Sequence, residues 1–223
     1  MKKKKAIIRI FVIIIFLFSF ISLSLAQKSQ QSGRFSIYFY EEKIGYEIYT
    51  WQSVENEHIL SVNGKMSKLI PLEFEKLTIH YNKSFIPSQY HFKGSIIGVE
   101  QEITSTIVDG AVKNIIEVAG QKQEEILQIR RDAFLLPNPI FSPYMAITKK
   151  YKCLPELEEP IESSTYIIPQ SEVPFTLEAE KENPCLLIIY INETEIKLET
   201  NQKGDLKTIY IPSQNLRVVH EDS

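Results

Sequence analysis

The chain is short of the residues on which most enzyme motifs are built. Its 223 residues include eight glycines, four histidines, three methionines, two cysteines and one tryptophan. With so few glycines, no phosphate-cradling loop of P-loop or dinucleotide-binding spacing occurs. Gly-x-Ser-x-Gly, His-Glu-x-x-His and Cys-x-x-Cys are also missing, which excludes the nucleophile elbow, the zinc-protease helix and the dithiol redox site. The sequence therefore reads as a non-enzymatic protein, with no cofactor and no metal.

Long basic runs are lacking once the N-terminus is set aside. That N-terminus reads MKKKKAIIRIFVIIIFLFSFISLSLAQKSQ: lysines 2–5 and Arg9, an apolar stretch over residues 10–25, and a small-x-small site at Ser24-Leu25-Ala26. Residues 1–26 are expected to be a signal peptide, and the protein to be exported, periplasmic or extracellular. An uncleaved anchor is the alternative, since the apolar stretch together with residues 6–8 nearly reaches the ~20 residues that span a bilayer, but the cleavage site is well formed and a polar stretch follows it; the sequence gives no other contact with a membrane. No cysteine follows the cleavage site to carry a lipid. Residues 27–223 hold 20 Lys+Arg against 28 Asp+Glu, a net charge of −8. A nucleic-acid binder needs a basic stripe to neutralise phosphates, and only the pairs Arg130-Arg131 and Lys149-Lys150 remain.

The two cysteines, Cys153 and Cys185, are permitted to oxidise in an exported chain. A bridge would close a loop of about 32 residues and contribute roughly 3–4 kcal/mol on the chain-entropy estimate. A free buried pair is the alternative. A metal site is disfavoured, because neither thiol has a second cysteine or a histidine at ligand spacing.

From residue 34 onward apolar and polar residues alternate, as in strands with one buried face. RFSIYFYEEKIGYEIYTW puts Phe35, Ile37 and Phe39 on one face and predicts a hairpin turning near residues 43–45. EITSTIVDGAVKNIIEV holds Asp109-Gly110 between two alternating runs, the strongest two-residue hairpin signal. Lys203-Gly204 marks a late turn, and CLLIIYI reads as a strand buried on both faces. The expected fold is mainly β: a curved antiparallel meander, half-barrel-like and open, forming one domain over residues 34–220 after a short polar segment at 27–33.

One stretch breaks the alternation. DAFLLPNPIFSPYMAITKK is apolar and bent by three prolines. Ser142 suits an N-cap, Pro143 the first helical position, and Lys149 and Lys150 the helix end, so the spacing predicts one short helix over residues 143–151. Helix and apolar loop are expected to cover the concave face of the sheet. They serve either as a core plug or as a lid over an apolar ligand, for which the candidate residues are Phe134, Leu135, Leu136, Ile140, Phe141, Tyr144, Ile147 and Tyr151.

The aromatic strand and short charged turn of FSIYFYEEKIGYEIYTW carry a resemblance. So do FIPSQY at residues 85–90, the apolar segment from Asp132, and NQKGDLKTIYIPSQNL near the end. Over most of residues 34–220 the chain resembles a broad group of uncharacterised secreted β-rich bacterial proteins, domains of unknown function. They are similar in outline to the periplasmic lipoprotein carriers whose half-barrels hold acyl chains. The resemblance implies an export-pathway protein with a curved antiparallel sheet and assigns no catalytic residue.

Two weaker constellations complete the reading. If Tyr81 faces Tyr90 in a hairpin, His80 faces His91 and two imidazoles could hold a metal with Glu75 or Glu102; the bland reading is two half-exposed strand residues. Tyr38, Tyr40, Tyr49 and Trp51 could form a platform for sugar or peptide, against the bland reading of cross-strand packing. Two partner classes follow: a lipid or other apolar ligand, or, if the protein is a structural or interaction module, another envelope protein.

Overall fold

The computed structural model describes residues 29–154, 159–169 and 171–221. The expected signal peptide lies outside the described residues. Fifteen strands are described: β1 (Ser29–Phe39), β2 (Glu42–Val54), β3 (Glu57–Met66), β4 (Leu72–Asn82), β5 (Pro87–Ile96), β6 (Val99–Val108), β7 (Ala111–Val118), β8 (Gln121–Gln128), β9 (Phe134–Leu135), β10 (Ile161–Ile167), β11 (Ser171–Glu180), β12 (Asn183–Ile191), β13 (Thr194–Thr200), β14 (Leu206–Ile211) and β15 (Leu216–Glu221). Between β9 and β10 come a 3-10 turn (Ser142–Tyr144) and the short helix α1 (Met145–Tyr151).

All fifteen strands form one sheet, in the order β8-β7-β6-β5-β4-β3-β2-β1-β15-β14-β13-β12-β11-β10-β9. Two meanders, β1 to β8 and β10 to β15, are thus joined along the β1–β15 pair, with Phe35 opposite His220. Every pair is antiparallel except β9 with β10. The expected mainly β, antiparallel, open architecture with one short helix is what the chain adopts. The sheet begins at Ser29, so most of the segment expected to precede the domain belongs to β1.

Local chemistry explains the curl. Strands twist, and each bulge adds bend; register shifts occur at Ile37/Tyr38, Val62/Gly64, Phe74/Lys76, His80/Tyr81, Ala179/Glu180 and Glu199/Thr200. At Gly64 a Cβ would lie 2.5 Å from the Tyr46 carbonyl oxygen and about 3.0 Å from the Phe74 ring, so β2 and β4 close in on a position that only glycine fits. The curl brings together strands that stand second from opposite ends of the order. Asn114 Nδ2 of β7 donates to the Tyr166 hydroxyl of β10 at 2.7 Å, and Ser105 donates to Asn114 Oδ1 at 2.7 Å.

The inward face carries the core: Phe35, Tyr49, Leu60, Ile79, Leu187 and Leu198 are each at most 1% exposed. At CLLIIYI, three consecutive residues, Leu187, Ile188 and Ile189, are buried, so both faces are covered at its centre. Asp109-Gly110 forms the expected two-residue turn with both residues at positive φ. The first hairpin turns at Tyr40 and Glu41 rather than at 43–45, because β2 has already begun at Glu42.

Candidate functional site: an apolar cavity beside a buried plug

The segment from β9 to α1 lies inside the curl. Its way in is parallel pairing of Phe134 and Leu135 with Thr165 and Tyr166. The chain then crosses toward the end of the sheet where β1 meets β2 and β3 meets β4, reverses, and returns as α1. Met145, Ala146, Ile147 and Thr148 are each at most 1% exposed.

Polar contacts pin both ends of this plug. At the reversal, Glu47, an acidic residue on the inward face of β2, accepts the backbone N–H groups of Phe141 and Ser142 at 2.8 and 2.7 Å, and the Ser142 hydroxyl as well. Burial pushes the Glu47 carboxyl above its ordinary range, with these hydrogen bonds acting in the opposite sense. Ser142 was expected to cap the helix. It lies instead inside the helical turn, its hydroxyl taken by Glu47, and Phe141 stands at the cap without a side-chain bond. At the other end Thr148 Oγ1 donates to the Gly204 carbonyl at 2.9 Å, and Lys149 pairs with Asp205 and donates to Gln31 Oε1 at 3.0 Å. The Cys153–Cys185 disulfide then ties the chain beyond α1 to β12.

Between the reversal and the surrounding strands is a cavity of about 330 Å³. Leu136, Ile140, Phe141 and Tyr144 form its plug side, and Ile191, Ile196, Ile211 and Leu216 its sheet side. Leu69 and Ile70 also line it and are 49% and 36% exposed, so it reaches the surface at the β3–β4 loop. The polar residues of the lining are Asn138, Thr165, Thr194, Gln214 and Tyr144, without a charged side chain. Burial holds the Tyr144 phenol well above its ordinary pKa, and it stays neutral.

The eight ligand candidates therefore divide. Leu136, Ile140, Phe141 and Tyr144 line the cavity. Phe134 and Tyr151 instead pack together, with ring centroids 6.1 Å apart, beside Phe175 and under the Lys150 ammonium. Leu135 and Ile147 are buried in the core, at 1% and 0% exposure. The sheet side of the cavity and the β3–β4 loop were not singled out from the sequence. Period-two strands place many such residues inward, and nothing local distinguishes those that meet a void.

The two other constellations come apart. His80 is opposite Gln89, and His91 is opposite Thr78, because β4 turns into β5 through residues 82–85, earlier than a Tyr81–Tyr90 pairing requires. Each histidine pairs with its own glutamate: His80 with Glu57 at 2.5 Å, His91 with Glu102 at 2.8 Å. Among the described residues no three metal-ligating side chains converge. Tyr49 and Trp51 point into the core while Tyr40 is 67% exposed in a turn, so no shared aromatic platform forms. Tyr49 instead meets His220 Nε2 at 3.0 Å, and burial together with the Asp205 charge pushes its phenol up to about 12.

No protein-family model matches the chain, and no curated protein matches it. Among solved structures, it is similar to a DUF1089 family protein from Pseudomonas aeruginosa, with a TM-score of 0.52 and 8% identity, over 78% of this chain and 91% of that one. A beta-barrel-like protein of the domain of unknown function DUF1849, from Brucella abortus, aligns over 86% of this chain and 94% of that one at 8% identity, with a TM-score of 0.47. The expected resemblance to bacterial β-rich proteins of unknown function holds at the level of fold.

Proposed function

We propose that the protein is a non-enzymatic, exported binder of a single-chain apolar ligand, such as one acyl chain. The observation that carries this is the uncharged, apolar-lined cavity of about 330 Å³ that reaches the surface beside Leu69 and Ile70. Ligand sites are concave and mostly apolar with a few placed polar groups, over about 300–1,000 Å³, and a volume near the lower limit suits one chain better than a two-chain lipid. Export is supported by the Cys153–Cys185 bridge, since disulfides persist in oxidising compartments.

The alternative is an interaction module working through a sheet edge, for which β8 is the candidate. That strand is exposed along nearly its whole length and carries Lys122, Glu124 and Glu125, the kind of charge by which edges are protected from pairing. The cavity favours the first reading.

The test is titration with a fluorescent fatty-acid analogue, together with native mass spectrometry of the purified protein. Saturable binding near one probe per chain is expected. Ile196→Trp, which fills the buried wall, and Thr194→Trp, at the half-exposed mouth, should each weaken it by about tenfold or more, the equivalent of ~1.4 kcal/mol. Absence of saturable binding across chain lengths, or unchanged affinity in both folded variants, would falsify this reading.

A further inference from the structure

We infer that the end of the sheet around the cavity mouth is a docking rim for a zwitterionic lipid surface. Three hairpin tips lie side by side there, and each presents a large apolar side chain to solvent: Tyr40 between β1 and β2 at 67% exposure, Leu69 between β3 and β4 at 49%, and Ile97 between β5 and β6 at 69%. Ile70 and Val99 flank them. Backbone hydrogen bonds hold these tips to their neighbours around the mouth: Ile97 N donates to the Pro71 carbonyl at 2.7 Å, and Tyr40 N to the Asn215 carbonyl at 3.1 Å, next to the cavity residue Gln214.

The backbone adds a second observation. Tyr40, Leu69 and Ile97 all sit at positive φ, 47°, 69° and 52°. An L-residue with a bulky or β-branched side chain is disfavoured there, whereas Asn, Asp and Gly are at home. Of the other left-handed positions, Asp109-Gly110, Asn192 and Asn215 carry such residues, Glu41, Glu55, Ala119 and Lys152 are charged or small, and Phe85, the other large apolar one, packs against the core. Three exposed apolar residues therefore occupy positions where a polar one would fold more easily, and such departures cluster where the surface has work to do.

The occupant follows from charge and shape. Beside these tips Lys68 pairs with Glu42 at 2.5 Å and Arg217 with Glu41 at 2.8 Å, and Glu100 and Glu193 at the same end are acidic, so the rim is not built for an anionic surface. It matches a surface that is polar but net neutral, with apolar material beneath. The three apolar side chains stand on separate hairpin tips, so each can enter a headgroup layer on its own. The apolar lining of the cavity runs out through Leu69 and Ile70 into this rim, so docking would set the mouth against the acyl chains. The inference stands apart from ligand binding, since the rim can dock whether or not the cavity is filled.

The apolar N-terminus of the full chain brings membrane affinity of its own, so the readout has to be local. Val99 and Val108 stand at opposite ends of β6, 41% and 62% exposed. In the disulfide-intact full chain, Val99→Cys and Val108→Cys would each carry an environment-sensitive fluorophore, mixed with phosphatidylcholine vesicles containing spin-labelled acyl chains. Quenching at position 99 should exceed that at 108 by about twofold or more, as for side chains that enter the headgroup and acyl boundary. Leu69→Asn and Ile97→Asn, placed in the Val99→Cys background, should remove the difference while the protein stays folded, because asparagine suits the left-handed backbone. Equal quenching at the two ends, or a difference that survives both substitutions, overturns the inference. Shielding of position 99 by a soluble protein with no response to vesicles would overturn it too and assign the rim to a protein partner.

Discussion

Glu47 and Ser142 stand 95 residues apart in sequence, and the carboxylate of one takes both the backbone N–H and the hydroxyl of the other. This contact fixes where the plug reverses, and with it one wall of the cavity. In Glu47→Gln the single amide oxygen cannot serve both N–H groups, and a buried donor left facing an amide nitrogen costs about 1–3 kcal/mol. The pH dependence has a definite sign. A carboxyl whose folded pKa lies above its unfolded value stabilises most below the ordinary carboxylate range and loses that contribution as pH rises through the raised value. The stability difference between wild type and Glu47→Gln, from urea unfolding, should therefore shrink from acidic to neutral pH. A difference that grows over that range would show the anion to be the favoured form.

The helix itself is expected to behave as core. Ile147 and Thr148 are as buried as Leu187 and Ile189 of β12, all at 0% exposure. Elements that open for ligands come from the least stable part of a molecule, and α1 has no such character. Hydrogen-exchange mass spectrometry should find amides of residues 145–151 protected to the same order as those of 187–189, and the β3–β4 loop, residues 67–71, exchanging much faster. Helix amides exchanging about a hundredfold faster than β12 would correspond to ~2.7 kcal/mol of local opening and would restore the helix as a lid.

Much of this was legible in the sequence, and the parts that were not have identifiable reasons. Alternation gave the strands, Asp109-Gly110 a turn, and the proline-bent apolar stretch announced a segment unlike the sheet. The His80–His91 pairing failed because the chain turns at residues 82–85, which sets each partner two positions away from that pairing. The Ser142 cap failed because the helical turn begins one residue earlier, with Phe141 at the cap and Ser142 inside it, where its N–H and hydroxyl both donate to Glu47, a contact no local rule foresees. Glu47 nevertheless left a trace, as the acidic residue in phase with Tyr49 and Trp51. The rim left one as well: Tyr40, Leu69 and Ile97 are apolar residues at turn positions, and setting the first turn at 43–45 hid Tyr40 within a strand. The void was not readable, since it exists only once the reversal over residues 136–144 meets strands that are distant in sequence.

The disulfide joins the exit of the plug to the start of β12. Closing a loop of 32 residues limits the unfolded chain, an effect of roughly 3–4 kcal/mol on the entropic model. Unfolding free energies from urea titration of the reduced protein and of the double substitution Cys153→Ser and Cys185→Ser should each fall below that of the oxidised wild type by that amount and agree with each other. Because Leu154 N also donates to the Pro184 carbonyl at 2.9 Å, part of the junction survives reduction. The loss is therefore expected to lower stability without releasing the helix. A reduced protein with its α1 amides unprotected would show that the bridge alone retains the plug.

Phe141 joins the two themes, since it is 5% exposed, it lines the cavity, and its backbone N–H reaches Glu47. Replacing a buried phenylalanine by alanine costs about 3–5 kcal/mol where the surroundings cannot collapse, and less where they can. Collapse is restricted on one side of this ring by the Glu47 contact, which the substitution leaves in place because it uses the main chain. On the other side the ring already borders empty space, so fewer packing contacts are lost than at a fully enclosed site. Phe141→Ala is thus expected near the lower end of that range, and Ile147→Ala, buried away from the cavity, to unfold the protein comparably despite removing a smaller side chain. The two should separate in binding. Enlarging the cavity at Phe141 should shift preference toward longer or bulkier apolar probes, whereas Ile147→Ala should change stability alone. Matched urea unfolding and probe titrations over a series of chain lengths provide the check, and an unchanged length preference in folded Phe141→Ala would mean that the ring does not bound the ligand site.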